Sequence, residues 1–324
     1  MKKTIWKSVV VIAVLTVLIS MSGCELNNNS GNENQQLTHK DSLSLMLLYK
    51  IKPDSIGATI DELTDLGTRF ALAPNRKSVA LKIRDMFRKA GYENASIDSF
   101  QANTTWNAVD YPTWQYNVSA ELEGSVHPDS VNIVGAHYDA IITDGDPFLK
   151  SPGANDNASG VAGMIEVARV MKFTGYKPSI SIRFVAFAAE EIGLLGSNDY
   201  AEKLSESGRP VNIMINHDMI AITNNPNYLL WNMKIVFNQG SFALANGTST
   251  LCSKYIGLYA LGDSAKTKNK DIYPFYSRGI KAMEFTSADS DINGHSLNDL
   301  AIDCNLSYSS LITGLTCVVL VYHD

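Results

Sequence analysis

Apolar residues recur at helical spacing in several segments of the chain, and shorter continuous apolar runs lie between them. The helical spacing predicts α-helices at residues 40–50, 55–67, 76–90, 158–172, 197–206, 241–255 and 305–321. Runs such as VNIVGAH, ISIRFVAF and VNIMIN are typical of strands that are buried on both faces. Gly91 directly follows KIRDMFRKA and predicts the end of a helix.

The order of the elements after Gly91 indicates the fold class. It runs strand, strand, strand, helix, strand, helix, strand. This order predicts an α/β protein that forms a three-layer α/β/α sandwich with a mixed central β-sheet.

The amino terminus has the pattern of an export signal. Lys2, Lys3 and Lys7 precede an apolar stretch from Val9 to Ile19, which small residues then follow. This stretch is about half of the roughly 20 residues that a membrane-spanning helix needs. The pattern therefore predicts a cleaved signal peptide and disfavours a permanent transmembrane helix.

The small residues before Cys24 resemble a bacterial lipoprotein processing box. The resemblance implies cleavage before Cys24, a lipid on its sulfur, and a membrane-anchored protein that faces the periplasm or the cell exterior; plain secretion is the alternative. The Asn-rich segment that follows suits a flexible tether. We predict a signal peptide at residues 1–23, a polar tether at 24–37 and one catalytic domain at 38–324.

The charge of the chain limits the classes of binding partner. The net charge is −6 and the acidic residues are spread along the chain, so electrostatics offer no case for nucleic acid binding, and small peptides fit better. Oligomeric state cannot be read from the sequence.

Cys252, Cys304 and Cys317 follow the tether. One disulfide with one free thiol is compatible with this set, and the sequence leaves the pairing open.

Chemically active side chains follow the predicted strands. His137 ends the run VNIVGAH, and Asp218 directly follows VNIMINH. Asp139 is close enough to His137 in the chain to contact the ring nitrogen that does not bind a metal, which would orient the imidazole. Glu190 and Glu191 follow ISIRFVAFAA, and adjacent side chains at a strand end point to different sides. One can bind a metal while the other transfers protons.

Two further segments complete a set of possible metal ligands. Asp156 lies in the turn SPGANDNASG just before a helical pattern, where its carboxylate is suited to bridge two metals. His295 lies in a loop rich in Gly and Asp. Histidines and carboxylates of this kind bind two zinc ions when one carboxylate is shared. The sequence therefore predicts a two-metal hydrolase.

Five segments carry a family resemblance: VGAHYDA, PGANDNASG, FAAEEIGLLGS, INHDM and GHSLND. In this order they resemble the motifs of the co-catalytic di-zinc aminopeptidases, a family that also contains glutaminyl cyclases and transferrin-receptor-type proteins. The resemblance covers roughly residues 55–320. It implies a zinc exopeptidase fold with two zinc ions per chain and an aminopeptidase acting on peptides.

The resemblance also implies a role for each site residue. One zinc would be held by His137, Asp156 and Asp218, and the other by Asp156, Glu191 and His295. Glu190 would be the general base, with Asp139 orienting His137. The peptide bond between Asp156 and Asn157 would be cis.

The chain departs from the family pattern outside the ligand positions. The segment DIYPF carries Ile272 where relatives often have a histidine. The residues around His295 also differ, although Asp299 still matches. These departures concern substrate contacts and loop shape, so they leave side-chain specificity undetermined.

Two other functions remain open. A glutaminyl cyclase shares the scaffold, but such relatives usually alter the Asn-Asp-Asn turn and the segment after the glutamate pair, both of which are intact here. A non-catalytic receptor-like binding module would be expected to have lost ligands or the base, and each of these positions is present. Amino- versus carboxypeptidase action is not determined by the residues, and the aminopeptidase prediction rests on the resemblance.

Overall fold

The computed structural model of this chain describes residues 37–264 and 268–324. The predicted signal peptide, Cys24 and the tether up to residue 36 lie outside the described residues. Within the described part, no helix combines the length and the apolar character that are needed to cross a membrane.

All the predicted helices are present, with ends that shift by a few residues. The helices are α1 His39–Lys50, α2 Pro53–Thr64, α3 Arg76–Lys89, α4 Gly160–Thr174, α5 Leu195–Ser207, α6 Phe242–Tyr255, α7 Tyr273–Tyr276 and α8 Leu306–Tyr322. Gly91 follows α3 with a φ of +98°, the left-handed conformation that ends helices. The prediction lacked α7, because four residues are too few to show a helical period.

Eight strands of the described chain form one mixed sheet. They are β1 Ser96–Trp106, β2 Val109–Leu122, β3 His127–His137, β4 Ile180–Phe187, β5 Val211–His217, β6 Asn232–Phe237, β7 Tyr259–Asp263 and β8 Ala282–Ser287. The spatial order is β1-β2-β4-β3-β5-β8-β6-β7. Strand β3 is parallel to both of its neighbours, β4 and β5, whereas β2 runs antiparallel to β1 and β4. The predicted α/β class, the mixed sheet and the order from β1 to β5 are confirmed.

Alternate residues of the central strands face two separate cores. In β3, Val131 and Ile133 pack in the core that contains residues of α5 and α7. Val134 and Ala136 pack on the opposite face, in the larger core that contains residues of the other six helices. This division follows from the alternation of side chains along a strand. It confirms the three-layer α/β/α arrangement.

The three described cysteines correct one expectation. Cys252, Cys304 and Cys317 are all free thiols, so the disulfide that the sequence allowed is not formed among them. Cys252 and Cys317 are buried in α6 and α8, and the Cys252 thiol donates a hydrogen bond to the carbonyl of Leu258 at 3.3 Å. Buried thiols of this kind act as small apolar side chains.

Candidate metal centre

Three parallel strands deliver four of the predicted site residues to one edge of the sheet. Strands β3, β4 and β5 share a direction, so their carboxyl ends lie together. His137 is the last residue of β3, and Asp218 directly follows β5. Glu190 and Glu191 lie just beyond the end of β4. The site is therefore built at the carboxyl edge, where open α/β sheets commonly bind ligands.

Asp156 reaches this edge from the turn that precedes α4. Its backbone N–H donates to Asp299 Oδ2 at 2.9 Å, and the N–H of Asn155 donates to Asp299 Oδ1 at 2.7 Å. The Asn157 side chain donates to the carbonyl of His217 at 2.8 Å. The peptide bond between Asp156 and Asn157 is cis, as predicted. Contacts from a distant loop and from β5 thus hold the turn on both sides.

The structure brings the five predicted ligands together in two groups. His137 Nε2 lies 3.3 Å from Asp156 Oδ1 and 3.3 Å from Asp218 Oδ1. His295 Nε2 lies 3.0 Å from Asp156 Oδ2 and 3.1 Å from Glu191 Oε2. The two carboxylate oxygens of Asp156 therefore face different groups, the arrangement of a bridging ligand. Two of the three groups of possible ligands match the predicted sets, whose role in binding metal stays a prediction, and the third joins His137, Glu190 and Glu191.

The distances fit zinc. Tetrahedral zinc with nitrogen and oxygen ligands at about 2.0–2.2 Å places its ligand atoms roughly 3.3–3.6 Å apart. The contacts of His137 fall at this spacing, and those of His295 are slightly shorter. Each group supplies three protein ligands and leaves a position for water or substrate, as in catalytic zinc sites.

The electrostatics indicate a surplus of negative charge. Burial raises the pKa of Glu191 to about 7, with Asp156 adding to the rise and His295 opposing it. Hydrogen bonds to Asp156 and Glu191 raise the pKa of His295 to about 10. Among the described residues, Glu191 Oε1 is buried without a hydrogen-bond partner. A buried carboxylate oxygen without a partner is costly unless a cation binds it. The residues therefore fit two zinc ions.

Asp139 links two parts of the site. Its carbonyl oxygen lies 3.2 Å from His137 Nδ1, and its carboxylate Oδ1 lies 3.6 Å from the same nitrogen. This places Asp139 beside the ring nitrogen as expected. The carboxylate also accepts the backbone N–H groups of Glu190 at 2.9 Å and Glu191 at 3.1 Å, contacts that sequence reasoning missed. Asp139 therefore positions the glutamate pair as well as His137.

An open cavity of about 500 Å³ lies over the two groups. Glu190 lines the cavity beside His137, and the side chains of Leu194 and Met219 form an apolar part of its wall. Leu194, Met219 and His295 all have φ values between 55° and 58°, a left-handed conformation that is uncommon for residues other than glycine. Such conformations concentrate at functional sites, where surrounding contacts maintain them.

Arg69 donates hydrogen bonds to the backbone around the site, and no motif in the sequence identified it. Its guanidinium is almost fully buried and donates to the carbonyls of Tyr138 at 2.9 Å, Pro152 at 2.7 Å and Gly153 at 2.6 Å. Tyr138 follows His137, and Gly153 lies in the turn that carries Asp156. One buried cation thus connects the two chain segments that bear these predicted ligands.

The segment before α7 contributes groups that the motifs did not predict. Lys270 Nζ lies 2.6 Å from Asp218 Oδ2. Asp271 is fully buried nearby, and burial raises its pKa to about 7 against an opposing effect of His137. Ile272, at the position where relatives often have histidine, is buried in the core with Phe275. This departure from the family pattern therefore lies in apolar packing outside the cavity wall.

Comparison with known proteins gives the site a family context. Residues 117–312 match the sequence profile of peptidase family M28. A probable zinc metalloprotease of Pyrenophora teres f. teres is 34% identical over 205 residues, which cover 57% of this chain and 43% of that protein. The chain thus spans less than half the length of this relative.

Solved structures share the fold. The LapA aminopeptidase of Legionella pneumophila superposes with a TM-score of 0.72 at 22% identity, covering 94% of this chain and 80% of that one. A glutaminyl cyclase of Bacteroides thetaiotaomicron superposes with a TM-score of 0.65 at 15% identity, covering 84% and 98%. Because the family profile matches more than half of the chain and the predicted motifs meet in one site, this chain belongs to peptidase family M28.

Proposed function

We propose that this chain is a zinc-dependent aminopeptidase, an exopeptidase that hydrolyses the amino-terminal bond of peptides. The observation that carries the proposal is the pair of ligand groups that share Asp156 beside Glu190, at the floor of an open cavity. Membership of peptidase family M28 supports the peptidase class. The LapA relative, an aminopeptidase by name, supports the choice of the amino terminus.

The chain would divide the chemistry between ligands and base. His137, Asp156 and Asp218 would hold one zinc, and Asp156, Glu191 and His295 would hold the other. When bound, the zinc ions supply Lewis-acid chemistry, which polarises the scissile carbonyl and lowers the pKa of water. The bridging Asp156 would keep both positions at the same end of the cavity.

Glu190 would accept a proton from the attacking water and return it to the leaving amine. Burial raises the pKa of Glu190 well above its ordinary range, with Asp271 and Asp218 adding to the rise and His137 opposing it. A base whose pKa is closer to the working pH both takes up and releases a proton readily. The backbone contacts from Asp139 would hold Glu190 in place for both transfers.

The charge of the cavity wall does not by itself choose between the two ends of a peptide. Carboxylates of Asp156, Glu190, Glu191 and Asp218 line the wall, against two lysines. The ammonium of Lys270 is already paired with Asp218. With two zinc ions bound, their charge offsets these carboxylates, so the choice of the amino terminus rests on the likeness to LapA and on the peptide test.

The test is hydrolysis of an unblocked peptide and its amino-acetylated twin by the zinc-loaded protein. We expect free amino acids from the unblocked peptide alone. Glu190→Gln should keep its zinc but lose about 10²–10⁴-fold in rate. Glu206→Gln, at the exposed end of α5, is the matched control and should retain full activity. Hydrolysis of both twins from the carboxyl end would mean a carboxypeptidase, and near-normal turnover by the Glu190 variant would remove it as the base.

The likeness to a glutaminyl cyclase supports a second candidate, a glutaminyl-peptide cyclotransferase. A peptide that begins with glutamine separates the two, because cyclisation releases ammonia and leaves the peptide bond intact. Cyclisation without hydrolysis would replace the aminopeptidase proposal. Absence of turnover on every peptide, with two zinc ions bound, would favour a non-catalytic binding module.

We further propose, from the sequence alone, that the chain is an exported lipoprotein anchored through Cys24. The basic and apolar amino-terminal pattern and the small residues before Cys24 support this. In a bacterial host, the full chain should incorporate labelled fatty acid and sediment with membranes. Cys24→Ala should lose the label, whereas Cys304→Ala should keep it. Equal labelling of the Cys24 variant would contradict the anchor.

A further inference from the structure

Lys270 connects one predicted metal ligand to a buried acid. Its ammonium lies 2.6 Å from Asp218 Oδ2 and 3.3 Å from Glu284 Oε1. Asp218 is 4% exposed and Glu284 is fully buried. The other oxygen of Asp218, Oδ1, lies 3.3 Å from His137 Nε2. Asp218 therefore presents one oxygen to the metal centre and the other to a cation.

The two halves of the metal centre differ in this respect. We call the group of His137, Asp156 and Asp218 the Asp218 position, and the group of Asp156, Glu191 and His295 the His295 position. Within the described residues, the Glu191 carboxylate pairs with no lysine or arginine, and its Oε1 has no partner. Among the residues that the structure describes, a lysine or arginine therefore pairs with a ligand of the Asp218 position only.

We propose that Lys270 weakens zinc binding at the Asp218 position, so that the His295 position fills at a lower zinc concentration. The reason is electrostatic, since a lysine ammonium and a zinc ion that share one carboxylate repel each other, and the ammonium draws charge from the ligand. The inference rests on the two-zinc site of the proposed function.

Lys270 could instead strengthen binding by holding Asp218 in position, but other contacts already do this. The backbone N–H of Asp218 donates to the carbonyl of Phe285 at 3.1 Å, at the parallel junction of β5 and β8. The side chain is buried among the neighbouring ligands. Removing the ammonium should therefore change the charge around Asp218 more than its orientation.

The experiment measures zinc per chain in the full-length protein, dialysed against a series of buffers with set free zinc concentrations. We expect two steps for the wild type. In Lys270→Met the second step should move to at least tenfold lower free zinc, while Lys270→Arg, which keeps the cation, should stay near the wild type. Lys177→Met is the control. Lys177 is an exposed lysine just before β4, at the end of that strand away from the metal centre, and it has no salt bridge among the described residues, so its loss should move neither step.

A second variant guards against misfolding. Lys270→Met leaves Glu284 buried without its cation. Combining it with Glu284→Gln removes both charges. The glutamine oxygen can still accept the hydrogen bond that the Asn216 side chain donates to Glu284 at 3.1 Å in the native protein. The double variant should show the same shift of the second step. An unchanged second step, or one that moves to higher free zinc, overturns the inference. A wild type that binds no zinc overturns the proposed function instead.

Discussion

Replacing Asp299 with asparagine tests whether a distant loop holds Asp156, the predicted bridging ligand. The two carboxylate oxygens of Asp299 accept the backbone N–H groups of Asn155 and Asp156 at 2.7 and 2.9 Å. Asparagine has a single acceptor oxygen, so its amide would face one of these N–H groups. A hydrogen bond to a charged group contributes about 1.5–3 kcal/mol, and a buried unsatisfied donor costs about 1–3 kcal/mol. Burial raises the pKa of Asp299 to about 7, so the test belongs above about pH 8, where the carboxylate is ionised. There we expect the free energy of unfolding of zinc-free protein to fall by about 2–4 kcal/mol.

Because Asp156 belongs to both predicted metal positions, zinc affinity should fall at both of them. Loss of a group that orients a ligand typically weakens metal binding by about 10–100-fold. Urea unfolding in chelator and a titration with buffered zinc measure the two effects separately. Asp289→Asn is the control, since Asp289 also accepts a backbone N–H, from Asn224 at 2.7 Å, but belongs to neither ligand group. The reasoning is refuted if the Asp299 variant binds zinc as tightly as the wild type.

Three further predictions test the bound zinc, the buried Arg69 and the carboxylate of Asp41 in helix α1. Zinc at a free concentration about a thousandfold above its Kd stabilises a fold by about 4 kcal/mol per site. Chelation should therefore lower the Tm by roughly 8 °C or more. An unchanged Tm would argue against bound zinc. Arg69→Met removes the donor to four buried backbone carbonyls and should cost more than about 4 kcal/mol in urea unfolding. The exposed Arg88→Met on α3 should cost about 1 kcal/mol, and equal losses would contradict this role of Arg69. Burial would raise the pKa of Asp41, yet hydrogen bonds from its neighbours hold that pKa well below its ordinary range. The ionised Asp41 therefore stabilises the fold fully above the pKa of an unfolded aspartate. This stabilisation is lost as the pH falls below about 4. Asp41→Asn should therefore lose about 2 kcal/mol at pH 7, a gap that closes in acid, while the exposed Asp54→Asn should change little.

Much of the fold could be predicted because local patterns report on burial. The run VNIVGAH predicted β3, and its alternate residues indeed enter two cores. Seven helices followed from spacing alone, whereas the four-residue α7 gave no period to read. The start of α4 was misplaced by two residues, because the turn that carries Asp156 precedes it.

The residues of the candidate site were also marked locally, since each lies at the end of an apolar run or in a distinctive turn. His137 and Asp218 needed only the rule that parallel strands end at one edge of a sheet. The assignment of the five predicted ligands to two metal positions came from the family resemblance, and the structure groups the same residues.

The sequence by itself therefore determined the element types, the sheet class and the residues that could bind metal. Only the tertiary structure decided the position of β8 between β5 and β6, the burial of Arg69 beneath the site and the pairing of Lys270 with Asp218. The physical reason is that periodicity records whether a side chain is buried, but not which distant side chain it meets. An arginine or lysine looks the same in the sequence whether it is solvated or holds a carbonyl or a carboxylate far along the chain.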